Sequence, residues 1–442
     1  MSSPTLNAAC LDQLALQYGK TVTFVGVGGC GMRGLATFFL QSGWQVYGCD
    51  SKALPADDKL FSLGLVWCEA ETVVPTSWVV RSAAVPATDA VFSNCVAASA
   101  RPSLYAEFLG EISKNRPVLA VAGTHGKTTC TSWIAYGLRE AGVNVGYLVG
   151  AHVPQLGSSS EWGDPALPLI VESCEYARSF HYLRPHKVAL INVAAEHPDT
   201  YPNGLPEVTE SFATFISNTS ETGCVFAGPE APAELQQYTA AEWHDCPALE
   251  ENVRLGLFGK HNRSNASLVA SVLHDFGLSA SQIQHALSTF TGAARRLELL
   301  RELSVGNGET IKLVSDYAHH PTEVAATIDA AKQRWPSSSV NVVFQPHQAQ
   351  RFQDYRDLYA SCLDAADMVA LLPIFRARDV DSCIADSRDL LPDLDARFPQ
   401  RLHFFADEIE QSIKWTLSNS QPGAVILCLG AGDIDGYIRK VL

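Results

Sequence analysis

At 442 residues, with 47% hydrophobic and 18% charged side chains, the chain has the make-up of a globular protein of several domains, about 100–200 residues each. No run approaches the roughly 18 uninterrupted apolar residues of a membrane span, and the first 20 residues lack the basic start, apolar core and small-residue cleavage site of a secretory leader, so a cytoplasmic protein with no membrane partner is expected. A formal charge of −15 argues against nucleic-acid or anionic-membrane binding, and twelve cysteines without CxxC pairs point to reduced thiols rather than disulfides or structural zinc.

The first readable unit is VTFVGVGGCGMRGLATFFL, where a strand from Val22 to Val25 meets a glycine turn and a helix starting near Met32. A second strand, VYGCD, ends at Asp50. Gly26, Gly28 and Gly31 with Asp50 beyond them fit a dinucleotide-type fingerprint, which suits NAD or FAD as well as a diphosphate carried by a substrate.

The next unit is PVLAVAGTHGKTTCTSWIAYGLREAG, again strand, loop and helix, with Gly142 as the helix stop. A phosphate requires backbone N–H groups at a helix start, a lysine for the β and γ oxygens and a hydroxyl for magnesium. Gly123, Thr124, His125, Gly126, Lys127, Thr128 and Thr129 supply all three. Val121 stands where the first glycine of GxxxxGK[ST] belongs, so the loop is a variant, and an ATP-type loop here sets aside a pure dehydrogenase. SSSEWGDP (158–165) reads as a solvent loop.

Two further strands, LPLIVES and VALINVA, end near carboxylates: Glu172 and Glu175 after the first, Glu196, His197 and Asp199 after the second. Alone these are polar strand ends; beside a phosphate loop they become magnesium ligands. Cys30, Cys130 and Cys174 neighbour the glycine turn, the phosphate loop and this carboxylate pair, and all three are expected to react with thiol reagents unless ligands protect them.

After FTGAARR the alternation continues with a strand KLVSDYAHH, a helix PTEVAATIDAAKQRW, a strand VNVVFQP and a last strand AVILCLGAGD. Arg295 and Arg296 can neutralise a transferring phosphate or form surface salt bridges. Asp316, Tyr317, His319 and His320 crowd a strand end before a helix with proline in its first turn. Strands alternating with helices imply parallel α/β sheets, with boundaries near Asn115 and Arg295 and hence domains 1–114, 115–294 and 295–442.

Taken in order, GVGGCGMRGLA, AGTHGKTT, VESCEY, AEHPDTY, FGKHNRSNA, GAARRLE, DYAHHPTEVAAT, FQPH and LGAGDI resemble the Mur ligases over nearly the whole chain. The resemblance implies an α/β protein of three domains: an N-terminal Rossmann-like UDP-binding domain, a central P-loop ATPase-like domain and a C-terminal Rossmann-like domain. It implies ATP and Mg²⁺ as cofactors and a ligase reaction through an acyl phosphate. Within the group, the first glycine motif and DYAHHPTE are similar to the branch that joins L-alanine to UDP-N-acetylmuramate, acting as a monomer or weak homodimer.

Position by position, the resemblance places Lys127 on the β and γ phosphates and Thr128, Glu172 and His197 on the metal. It places His261 and Asn262 at the adenine, Arg296 at the γ-phosphate and Asp316 beside the nucleotide. Gly28, Gly29, Asp50 and Ser82 would receive the UDP part, and Glu175, Tyr317 and His319 the muramoyl and amino-acid groups. Lys127, His197, Arg296 and His319 form the expected catalytic set. Lys127 and Asp316 would be brought to one ATP by domain closure. ESCEY stands where many relatives have an EADESD-like run, and Glu196 where they have aspartate. No lysine lies between Lys187 and Lys260, so a carbamylated lysine there is not expected. A tripeptide-adding recycling ligase, a folylpolyglutamate-synthetase-like enzyme and a non-catalytic nucleotide sensor are the competing readings; residues 1–114 argue against the second and the intact Lys127 and Thr128 against the third.

Overall fold

The computed structural model describes residues 19–69, 76, 78–97, 101–306, 308–376 and 385–441, which leaves nearly all of the stretch read for a leader outside them. Three sheets organise the chain. The first holds β1 (Thr21–Val25), β2 (Gln45–Cys49), β3 (Val66–Trp67), β4 (Trp78–Arg81) and β5 (Pro102–Leu104), all parallel in the order β3-β2-β1-β4-β5. Reversal of strand order beside β1 leaves a crevice at the carboxyl ends of β1 and β4, where the glycine turn lies.

The second sheet comprises β6 (Val118–Ala122), β7 (Tyr147–Val153), β8 (Ser158–Glu161), β9 (Leu169–Ser173), β10 (Lys187–Asn192), β11 (Cys224–Glu230) and β12 (Glu242–Asp245), ordered β12-β11-β10-β6-β9-β7-β8. VLAVA in β6 is buried at every position, as expected of a central parallel strand covered on both faces. Segment 158–165 departs from the expected solvent loop. Its first half is edge strand β8, antiparallel to β7, with Ser160 buried. Trp162 then packs 4.5 Å from Phe38, and the buried Arg116 donates to the carbonyls of Trp162 and Asp164 at 3.0 and 2.9 Å. Polar composition suggested solvent, but tertiary partners pin the segment.

The third sheet holds β13 (Glu298–Gly306), β14 (Glu309–Asp316), β15 (Val340–Phe344), β16 (Met368–Leu371), β17 (Leu402–Phe405) and β18 (Val425–Leu429), ordered β13-β14-β18-β15-β16-β17 with only the β13–β14 pair antiparallel. Alternate residues feed two cores: Val314, Val342 and Leu427 face one, Leu313, Val343 and Ile426 the other. Residues 1–256 and 264–291 form one compact unit, and 257–263 with 292–442 a second. Among the described residues no helix is long and apolar enough to cross a membrane.

Candidate active site

In the first unit the loop 123–126 joins the carboxyl end of β6 to the helix Lys127–Glu140. Gly126 lies at φ +83°, and a Cβ there would come 2.9 Å from the Asn265 side chain; a Cβ on Gly123 would come 2.8 Å from Ile191. Both positions therefore require glycine. Asn192, the last residue of β10, anchors the loop: its carbonyl accepts from Thr124 N at 3.2 Å and its Oδ1 from His125 N at 2.9 Å. The amides of Lys127, Thr128 and Thr129 open the helix, where no intrahelical acceptor exists and the helix dipole favours an anion.

Glu172 reaches this helix start from β9, which pairs with β6 so that Val121 lies opposite Glu172. Its Oε1 accepts from the Thr128 hydroxyl at 2.8 Å and its Oε2 from Gly150 N at 2.7 Å. A hydroxyl and a carboxylate held together beside a phosphate-type loop are the oxygen donors that magnesium takes when phosphate and water complete its shell. The donor set fits that ion. His197, after β10, adopts φ +53°, a conformation uncommon outside glycine, and its Nε2 lies 3.2 Å from Glu175 Oε1.

Glu175, expected at the substrate, is turned toward Lys127 and His197. It is 1% exposed, and its Oε2 lies 2.7 Å from Lys127 Nζ. Burial opposes its ionisation, yet the Lys127 ammonium and His197 outweigh that and hold its carboxyl at about 2. Lys127 also loses hydration, but Glu175 holds its ammonium above the ordinary lysine range. Nζ further donates to the carbonyls of Gly123 and Thr124 at 2.7 and 2.9 Å.

At the first sheet, Gly28, Gly29, Asp50 and Ser82 gather at the carboxyl ends of β1, β2 and β4. Asp50 Oδ2 accepts from Gly28 N at 2.8 Å and Oδ1 from Ser51 Oγ at 3.1 Å, so this carboxylate braces the glycine turn. Ser82 Oγ accepts from Ala84 N at 3.2 Å. The Cys30 thiol donates to Gly150 O at 2.8 Å, linking the turn to β7. Cys30 and Cys174 are exposed, whereas Cys130 is fully buried, so the expected reactivity does not extend to Cys130: its helix position turns the thiol into the core. None of the ten described cysteines is joined in a disulfide.

Residues the motifs did not single out also build the site. Asn192 and Asn265 shape the loop, Gly150 braces Glu172, and the Tyr105 ring lies 3.7 Å from where a Gly31 Cβ would stand. Burial, then the Glu172 carboxylate, raises the Tyr105 hydroxyl above its usual range. Asn192 was detectable as a polar residue closing an apolar strand; Tyr105 and Gly150 carry no local signal.

The second unit carries the other expected residues. Tyr317 has the guanidinium of Arg295 at 4.5 Å and that of Arg296 at 5.4 Å from its ring centre. Arg295 is drawn inward, donating to Gly430 O at 2.6 Å. Asp316 is buried, and its two oxygens accept from Leu297 N at 2.6 Å and Ala318 N at 2.8 Å; burial raises its carboxyl despite Arg296 and these amides. His319 stands 3.1 Å from Tyr317 O and 3.5 Å from Glu323, with the His347 ring at 5.4 Å. His261 and Asn262 lie in the first turn of the helix Lys260–Asp275, where Asn262 donates to Phe258 O at 2.7 Å.

Residues 21–117 match the Mur ligase family catalytic domain, and residues 295–432 match the Mur ligase glutamate ligase domain. The fold is similar to that of UDP-N-acetylmuramate-alanine ligase MurC from Thermotoga maritima, with a TM-score of 0.77 and 22% identity over 95% of this chain and 97% of that one. It is also similar to a murein peptide ligase from Psychrobacter arcticus (TM-score 0.65, 21% identity, 96% and 99% covered). Mycobacterium tuberculosis folylpolyglutamate synthase, solved with ADP and AMPPCP, matches at TM-score 0.56 and 16% identity over 76% of this chain and 93% of its own.

Proposed function

Because the chain belongs to the Mur ligase family of ATP-dependent amide ligases of peptidoglycan precursor synthesis, we propose that it joins L-alanine to the carboxylate of UDP-N-acetylmuramate in the cytoplasm. The observation that carries the ligase chemistry is the Thr128–Glu172 contact of 2.8 Å beside the Lys127 loop, since it joins oxygen donors for a divalent ion to a phosphate cradle. The choice of alanine rests on the GVGGCGMRGLA and DYAHHPTE motifs and on the likeness to the alanine ligase.

In this reading the muramoyl carboxylate attacks the γ-phosphate of ATP, ADP leaves, and the alanine amine then displaces phosphate from the acyl phosphate to form the amide. Bound magnesium, held by Thr128, Glu172 and His197, would neutralise phosphate charge. The helix-start amides of Lys127, Thr128 and Thr129 would bind phosphate oxygens, with Gly123, Thr124, His125 and Gly126 shaping the cradle around them. Gly28, Gly29 and Ser82 would hold the diphosphate and Asp50 would keep their turn in place. In domain 295–442, Arg296 would take the γ-phosphate and Tyr317 and His319 the amino acid, with Asp316 holding the Arg296 turn; His261 and Asn262 would meet the adenine. Little covalent work falls to side chains, so catalysis is positioning and charge neutralisation.

The test is phosphate release from ATP with Mg²⁺ and UDP-N-acetylmuramate, run with each amino acid and with the L-alanyl-γ-D-glutamyl-meso-diaminopimelate tripeptide, with Lys127→Ala as control. Release dependent on both the UDP-sugar and L-alanine is expected. Release with tripeptide alone would assign the chain to the recycling activity instead, and none with any acceptor would remove the ligase assignment.

A further inference from the structure

Glu175 is set apart from the other carboxylates near the loop by its seclusion. It is 1% exposed. Its backbone carbonyl accepts from the Tyr201 hydroxyl at 2.6 Å, and Tyr201, itself 1% exposed, also lies 3.1 Å from Ser211 Oγ. The segment is thus anchored from behind while its carboxylate faces two groups of the site, Lys127 Nζ at 2.7 Å and His197 Nε2 at 3.2 Å.

An ammonium has three N–H donors. Lys127 Nζ donates to Gly123 O and Thr124 O and lies 2.7 Å from Glu175 Oε2 in an ion pair, so the lysine is turned into its own loop. A phosphate that takes this lysine competes with these three oxygens. The carboxylate is the strongest competitor, because it is charged, buried and held in place.

We propose that Glu175 is a positioning residue, not a substrate ligand: it holds Lys127 against the loop 123–126 in competition with phosphate and keeps His197 oriented. The proposal rests on the reading of residues 123–129 as the phosphate cradle. Its consequence is a division of effects. This hold lowers the fraction of protein ready to bind nucleotide, so apparent affinity falls by that fraction, while the fixed His197 ring favours turnover.

Calorimetric titration with ADP at fixed Mg²⁺ tests this on the wild type, Glu175→Gln, Glu175→Asp, Lys127→Ala and the Lys127→Ala/Glu175→Gln double variant. Glu175→Gln should bind ADP about fivefold to tenfold more tightly, because the competitor for the lysine has lost its charge. That gain should vanish in the Lys127→Ala background, since the two residues act through one contact. In turnover, Glu175→Gln should lower both the KM for ATP and kcat, whereas a merely loosened loop would raise the KM. Glu175→Asp, which keeps the charge, should recover kcat in part. Unchanged or weaker ADP binding by a Glu175→Gln protein that unfolds at the wild-type temperature would overturn the proposal. So would the same gain with and without Lys127, and, where the glutamine variant is unstable, a Glu175→Asp protein with wild-type KM and kcat. Equal ADP binding by wild type and Lys127→Ala would instead remove the cradle reading itself, and the proposal with it.

Discussion

The Thr128 hydroxyl donates to Glu172 Oε1 at 2.8 Å although the two residues lie 44 positions apart. Pairing of β6 with β9 produces this contact by setting Val121 opposite Glu172, so that the end of one strand delivers a carboxylate to the helix that follows the other. Glu172→Gln keeps the shape and an acceptor for Thr128 but removes the charge. The Mg²⁺ concentration for half-maximal activity should rise on the order of tenfold or more, read from phosphate release against Mg²⁺. An unchanged Mg²⁺ curve would take Glu172 out of the metal site.

Lys127 and Glu175 have side chains 12% and 1% exposed, so removing one partner strands a buried charge. Lys127→Ala should lose about 3 kcal/mol of stability in urea unfolding, beyond its loss of activity. Lys127→Met with Glu175→Gln should recover most of it, because neither charge then remains.

Iodoacetamide should label Cys30 first in the native protein, Cys174 more slowly because burial and Glu175 push its thiol up to about 11, and Cys130, at 0% exposed, only once the chain unfolds. Peptide mapping after timed labelling checks the order. ATP with the UDP-sugar should slow both reactive sites; rapid native labelling of Cys130 would contradict its burial.

Asp58 caps the helix Lys59–Ser62 through Leu60 N at 3.0 Å and takes Arg33 Nη2 at 2.8 Å on both oxygens. Partial burial disfavours its charge, but the Leu60 amide and Arg33 prevail and hold the carboxyl below its ordinary 3.8. A folded value below the unfolded one means that the stabilisation is present above about pH 4 and is lost as the pH falls toward the folded value. Asp58→Asn, still able to cap, should therefore cost about 0.5–1 kcal/mol at pH 7. Little difference should remain near pH 2.5, measured by thermal unfolding across that range.

Much of the architecture was legible before any tertiary contact was known. The run VLAVA before GTHGKTT announces a covered strand and a turn, because apolar continuity, glycine and a helix-forming sequence act over a few residues. The same holds for β1 with its glycine turn and for β14 leading into the helix Pro321–Arg334. The local chemistry of Lys127, Thr128 and the strand-end glutamates could be named for the same reason.

Partnership was not legible. Nothing near Glu175 says that it turns inward to Lys127 while Glu172, three residues earlier, meets Thr128. Nor does the sequence around Asp50 show that its carboxylate braces Gly28, or that Trp162 settles on Phe38 and draws a polar segment into an edge strand. Composition and spacing determined which groups this protein owns and which strands carry them to the sheet ends. Only the tertiary structure decided which of them face one another, because burial and charge pairing depend on strand register and on distances between segments far apart in the chain.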